Sequence, residues 1–196
     1  DLASFYFDKI RLDYFKSVFA DNNSQTTHET RLQEYTKDKN IDVSLLANLE
    51  LLNQKLYDEQ ALNDIYKKAN DLKNSHSKSK FADKIDALLG AITHTNVAGK
   101  FQKVYSTSEK VQGSFTFKNL KELNYAVYKL PMNEVLQHAQ SYDRESIEQL
   151  VTKGKRVLIA TQKVTKDGFK TTKVDLTLGK LPLGIYLLEV TGHADN

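Results

Sequence analysis

The chain has 196 residues, of which 40% are apolar and 27% charged, and a formal charge of +3. A charge this small and this mixed does not indicate a nucleic-acid partner, which is set aside, and no run approaches the roughly 20 apolar residues of a membrane-spanning helix. Without a cysteine, the segment holds no disulfide, thiolate metal site or cysteine nucleophile. The start at Asp1 reads as a processing site or an expression boundary, so the missing signal peptide is silent on compartment.

Length allows two modest domains, and composition shifts near residue 98. Before it, Leu, Asn, Lys and Asp recur at helical spacing without a proline; after it come β-branched and aromatic alternation, both prolines and most of the glycines. The boundary falls around Asn96 to Gly99, giving a helical domain over 1–97 and a β domain over 98–196.

Leu2 to Ala20 places Phe5, Tyr6, Ile10, Tyr14, Val18 and Phe19 on a broad face, predicting a helix buried over much of its circumference. Asp21 to Thr27 reads as a loop, and a weaker helix follows around Leu32 and Tyr35. Asp42 is the expected N-cap of a helix carrying Leu45, Leu46, Leu49, Leu52 and Leu56. Glu59 to Asn74 repeats the pattern, the polar run Asn74 to Lys80 is a loop, and Lys80 to Leu89 is a further helix with Gly90 as its C-cap. Amphipathic helices joined by short polar loops predict an antiparallel helical array.

In the second half, Lys100–Tyr105, Val111–Phe117 and Leu123–Leu130 are predicted strands, the last stopped by Pro131. A helical insertion spans 132–153, capped in its second half by Ser141 or Asp143 and ended at Gly154. Arg156–Val164 and Phe169–Leu178 are predicted to form a hairpin across Thr165-Lys166-Asp167-Gly168. In the second of these, Val174, Leu176 and Leu178 alternate with Lys173, Asp175 and Thr177, the period of a sheet with one buried face. Ile185–Thr191 completes a set that predicts an antiparallel β-sandwich. The fold class is therefore α+β.

No residue pattern carries chemistry. His28, His76, His94, His138 and His193 are scattered, with none at metal-ligand spacing. Ser75-Lys78 and Ser77-Lys80 match S-x-x-K formally, but in a polar low-complexity loop where such spacing arises freely. Gly99-Lys100, Gly154-Lys155 and Gly179-Lys180 lack the rest of a phosphate loop, and Glu122 and Glu189 give no basis for a carboxylate pair. Tyr105, Phe115, Phe117, Tyr125, Tyr128, Phe169 and Tyr186 would stack on a carbohydrate if several faced outward; their alternation with polar neighbours places them in the core instead. The expectation is no catalytic residue, no metal and no cofactor.

Three runs carry a resemblance. They are Phe115-Thr116-Phe117-Lys118-Asn119-Leu120 with Leu123 and Val127-Tyr128-Lys129-Leu130; Thr172 to Leu178; and Leu181-Pro182-Leu183-Gly184-Ile185-Tyr186 with Glu189-Val190. Together they resemble the macroglobulin-like, immunoglobulin-like sandwich domains of bacterial α2-macroglobulin proteins. The resemblance covers the chain from about residue 100 onward. It implies a large bacterial envelope protein, periplasmic, anchored to the outer membrane or secreted, that traps or inhibits proteases. Many relatives in that family hold a thioester made from Cys and Gln; this chain has no Cys. It therefore implies a structural, non-catalytic N-terminal fragment, whose partners are neighbouring domains of its own longer chain and, through the full-length protein, a protease. The alternative is a cell-surface binding module for glycan or peptide.

Overall fold

A computed structural model describes residues 1–19, 22–102, 104–138, 143–165 and 167–194. Ala20, Asp21, Ser141 and Lys166, on which the sequence reading drew, lie outside them. The chain divides into two compact units, Asp1–His94 and Thr95–Asn196, the first helical and the second built on strands.

The first unit contains α1 (Leu2–Phe19), α2 (Asn22–Tyr35), α3 (Ile41–Asn53), α4 (Leu62–Ser75) and α5 (Asp83–Thr93). The middle helix, α3, buries Val43, Ser44, Leu45, Leu46, Ala47, Leu49 and Leu52. A helix apolar around most of its circumference must be enclosed, and α3 touches each of the other four. One cluster joins Phe5 of α1 and Leu32 of α2 to Val43, Leu46 and Ala47 of α3.

Three local expectations change. Asn40, not Asp42, caps α3, its side-chain oxygen accepting from the amides of Asp42 (3.0 Å) and Val43 (3.4 Å). Asp42 then sits in the first turn, free to reach the loop before α5, where it accepts from the Ser79 hydroxyl at 2.7 Å and the Lys80 amide at 3.2 Å. Gly90 does not end α5, which runs on to Thr93. Finally, α2 begins at Asn22, within the run expected to be a loop.

The largest change concerns α1. Phe5 and Leu12, seven residues apart and hence on one face, are buried, whereas Phe7, Ile10, Tyr14 and Val18 are 70%, 69%, 64% and 52% exposed. At 100° per residue the two sets lie on opposite sides of the helix. The broad face read from sequence is two narrower ones, of which one packs inside the unit.

The second unit contains β1 (Asn96–Phe101), β2 (Val111–Lys118), β3 (Glu122–Leu130), α6 (Met132–His138), α7 (Arg144–Lys153), β4 (Lys155–Lys163), β5 (Thr172–Gly179) and β6 (Ile185–His193). They form two three-stranded antiparallel sheets, ordered β1-β2-β5 and β4-β3-β6. Alternation sends Phe115 and Phe117 of β2, Leu123 of β3 and Leu176 of β5 into one apolar cluster with Leu120, so both sheets share a core. At the bend between β2 and β3, Asn119 holds φ at +58°, a left-handed conformation that Asn tolerates better than most residues.

The expected hairpin of β4 with β5 does not form: β4 pairs with β3, and β5 with β2. The Asp167-Gly168 signal is real at the level of the turn, since Gly168 has φ +57°, but the connection crosses between sheets, carrying the chain from the edge of one to the edge of the other. Strand β1 also begins earlier than expected, at Asn96. Asp143 caps α7, accepting from the Ser146 amide at 2.8 Å. The helix packs on β3 and ends at Gly154, where a Cβ would lie 3.0 Å from Leu130.

Candidate functional site

Among the described residues, no group of three or more His, Asp and Glu side chains comes together as a metal site. No helix of the described residues is long and apolar enough to cross a membrane. His28 is buried in the helical unit, its Nε2 3.1 Å from Asp13 and its Nδ1 3.3 Å from the Gln54 amide. A ring with its hydrogen on Nε2 donates to the carboxylate and accepts from the amide, which satisfies both nitrogens. Burial alone would raise the Asp13 pKa, but the Lys9 ammonium at 2.8 Å and His28 outweigh it and hold the carboxyl below its usual value.

His76 shows why serine and histidine in proximity are not a nucleophilic site here. Its Nε2 lies 3.2 Å from the Ser44 hydroxyl, but that hydroxyl donates to the Thr36 carbonyl at 2.6 Å. A serine whose hydrogen is committed to a carbonyl can only accept from the ring, the reverse of what nucleophile activation requires. The far nitrogen of His76 meets the Ser75 hydroxyl at 2.8 Å, where a triad would place a carboxylate. The S-x-x-K spacings bring no serine to a lysine: Ser75 donates to the Asp71 carbonyl, and Lys80 lies 3.7 Å from Asp42 and over the Phe81 ring. Ser79 and Lys80 instead hold Asp42 below the usual carboxylate range, Ser79 most strongly.

Nor do the strand residues pair as acids. Glu189 accepts from the Tyr128 hydroxyl at 3.0 Å, and this bond, more than burial, raises the phenol's pKa. Glu122 lies 3.4 Å from the Asn124 side chain. Of the seven aromatic residues of the β unit considered as a stacking platform, Phe115 and Phe117 are buried and the other five are half-buried. The core placement expected from sequence thus holds in full for Phe115 and Phe117 only.

The feature with the form of a site is a cleft of about 750 Å³ between the two sheets, within the range of ligand-binding cavities. Val97, Gly99 and Phe101 of β1 line one wall, and Tyr186, Leu188 and Val190 of β6 the other. Phe115 and Val127 of the central strands form the floor. The wall at β1 depends on close approach: a Cβ on Gly99 would lie 2.7 Å from the Phe115 ring, and one on Gly113 2.3 Å from the Phe101 ring. These two rings pack at 5.3 Å between centroids.

At the mouth stand Val104 and Leu183, 76% and 84% exposed. Tyr105 and Tyr186 also line the cleft, but their hydroxyls are already committed to the carbonyls of Gln112 and Pro182. The cleft thus offers apolar side chains and few unspent polar groups. The sequence carried only a faint signal of it: an apolar Val104 in a polar segment and an apolar Leu183 at a turn. Comparison with protein-family models, with curated proteins and with solved structures returned no match.

Proposed function

We propose that the chain is a non-catalytic structural section of a large bacterial envelope protein of the α2-macroglobulin type, in which a helical region precedes a macroglobulin-like β-sandwich. The protease-trapping activity belongs to the longer chain, and this section contributes shell and contacts to neighbouring domains. The observation that carries the reading is the bend Leu181-Pro182-Leu183-Gly184 feeding β6 onto β3 in an uninterrupted nine-residue register. It lies beside a second sheet that shares the same core. These segments belong to the runs on which the resemblance rests.

The test is inhibition. Mixed at equimolar dose with serine, cysteine and metalloproteases, the 196-residue chain leaves hydrolysis of a protein substrate unchanged, while the longer natural chain suppresses it. Inhibition by the isolated chain would overturn the assignment of trapping to other domains. A longer chain that carries a catalytic domain, or lacks further sandwich domains, would overturn the family reading.

A second reading, a surface module that binds peptide or glycan, is favoured by one observation, the open cleft of the β unit. Its largely apolar lining favours peptide over glycan.

A further inference from the structure

We infer that the outward face of α1 is a pairing seam: two copies of this chain associate through it, helix alongside helix in parallel, about a two-fold axis. This stands on the helical unit alone and does not require the macroglobulin reading. Among the described residues, every exposed large apolar side chain of that unit except Ile41 and Tyr57 belongs to α1: Tyr6, Phe7, Ile10, Tyr14 and Val18.

The spacing of this face identifies its partner. Ala3, Phe7, Ile10, Tyr14 and Ser17 are all exposed and follow one another at intervals of four, three, four and three residues. That is the 3.5-residue period at which one helix seats the side chains of another carrying the same period. None of the five is charged. Phe5 and Leu12, which hold α1 in its own unit, lie on the opposite side of the helix. The rest of each unit therefore stands behind its own α1 and leaves the seam clear.

The area suffices for a dimer. With about 150–250 Å² for a whole aromatic side chain, the exposed parts of Tyr6, Phe7, Ile10, Tyr14 and Val18 come to roughly 600 Å² per copy. Apolar patches of that size on a monomer mark interaction sites. Two copies paired through them would bury about 1,200 Å², the lower bound of a specific, stable interface.

Charge selects a second copy and its direction. Arg11 borders the seam on one side and Asp13 on the other. Each is also paired within its own copy, Arg11 with Asp8 at 3.3 Å and Asp13 with Lys9 at 2.8 Å. Turning one copy about an axis parallel to the helix lays its Arg11 border along the Asp13 border of the other. An antiparallel pairing would set like charge against like, which opposes association. The same balance of signs disfavours an anionic membrane, which draws amphipathic helices through a polar face rich in Lys and Arg.

Sedimentation equilibrium of the full 196-residue chain from about 1 to about 200 μM should show the mass rising from 22.3 kDa towards twice that value. Phe7→Glu and Ile10→Glu, with folds checked by circular dichroism, should each weaken association about tenfold or more, and Ile10→Ser serves where a glutamate variant does not fold. Pairing joins folded units, so at the dilute end of the range these variants unfold as the parent does. Leu183→Glu, on the β unit, should associate as the parent does. Because the chain has no cysteine, single thiols report direction. Ala3→Cys and Ser17→Cys, at the two ends of the seam, should each give a disulfide-linked dimer on mild oxidation, which an antiparallel pairing holds too far apart. A parent that stays monomeric at the highest concentration would overturn the proposal, whether the face is idle or serves another partner. So would association lost in Leu183→Glu but kept in Ile10→Glu, failure of either thiol to cross-link, or sedimentation with phosphatidylserine vesicles that Phe7→Glu abolishes.

Discussion

Tyr35, at the end of α2, donates its phenol hydrogen to the Asp8 carboxylate of α1 at 2.6 Å and ties the two helices together beside the Phe5 ring, which it meets edge-on at 5.2 Å. This hydrogen bond is the main cause holding the Asp8 pKa below its ordinary value, with Arg11 and Arg31 adding to it against the opposing effect of burial. A carboxyl depressed in the folded state contributes stability above its unfolded pKa and loses it as pH falls through the folded one. Tyr35→Phe should therefore lower stability by about 1 kcal/mol at neutral pH. The deficit should shrink below about pH 4, the unfolded carboxyl's range. Urea unfolding of both chains at pH 7 and pH 2.5 measures it; an undiminished deficit at the lower pH would sink the linkage.

The two faces of α1 predict opposite responses to substitution. Phe5 is 2% exposed and sits in the helical core, so Phe5→Ala should destabilise the unit by about 3–5 kcal/mol. Phe7 and Ile10 are exposed on the other side, and Phe7→Ser or Ile10→Ser should change stability by no more than about 0.5 kcal/mol. Chemical denaturation followed by circular dichroism separates the cases, and a large loss in Phe7→Ser would mean that this face is packed.

Gly90 lies inside α5, is exposed, and a Cβ there would meet nothing within 4 Å. Helical backbone at an open site favours alanine through lower unfolded-state entropy and higher propensity. Gly90→Ala should stabilise the helical unit by about 0.5–1 kcal/mol, read as a higher urea midpoint at unchanged slope. A lower midpoint would show that α5 ends at Gly90 after all.

Asn40 and Asp42 divide the labour at the start of α3. Asn40→Ala removes the cap and should destabilise by about 1 kcal/mol. Asp42→Asn keeps the cap but withdraws the carboxylate that accepts from Ser79 and Lys80, so amide exchange at Lys80 should accelerate while α3 remains protected. Equal effects of the two substitutions on α3 would return the capping role to Asp42.

Elements were legible wherever a local pattern sufficed. Alternation of Val174, Leu176 and Leu178 with Lys173, Asp175 and Thr177 specifies which side of β5 is buried, because adjacent side chains of a strand must point oppositely. Asp143 before Ser146 and Gly154 after Lys153 mark the ends of α7 for equally local reasons. The α+β class and the absence of a recognisable catalytic pattern come from the same kind of reading. Ser44 and His76 are 32 residues apart and meet only in the fold, where their hydrogen bonds run the wrong way for a nucleophile.

Tertiary structure decided the rest. Nothing in Phe5, Phe7, Ile10 and Leu12 says which two of them enclose the core, since both pairs lie on apolar faces and only the position of α2 and α3 chooses. The Asp167-Gly168 turn could serve a hairpin or a crossover; β4 pairs with β3 and β5 with β2, and the second of these partners lies far away in the sequence. The cleft was the least legible feature, because an open edge is a relation between strands far apart in the chain and leaves no mark on either one. Sequence by itself determined the type and order of most helices and strands, through interactions a few residues in range, but not all of their bounds. Which apolar faces were enclosed, and that those along β1 and β6 stayed half-open, was decided by long-range packing.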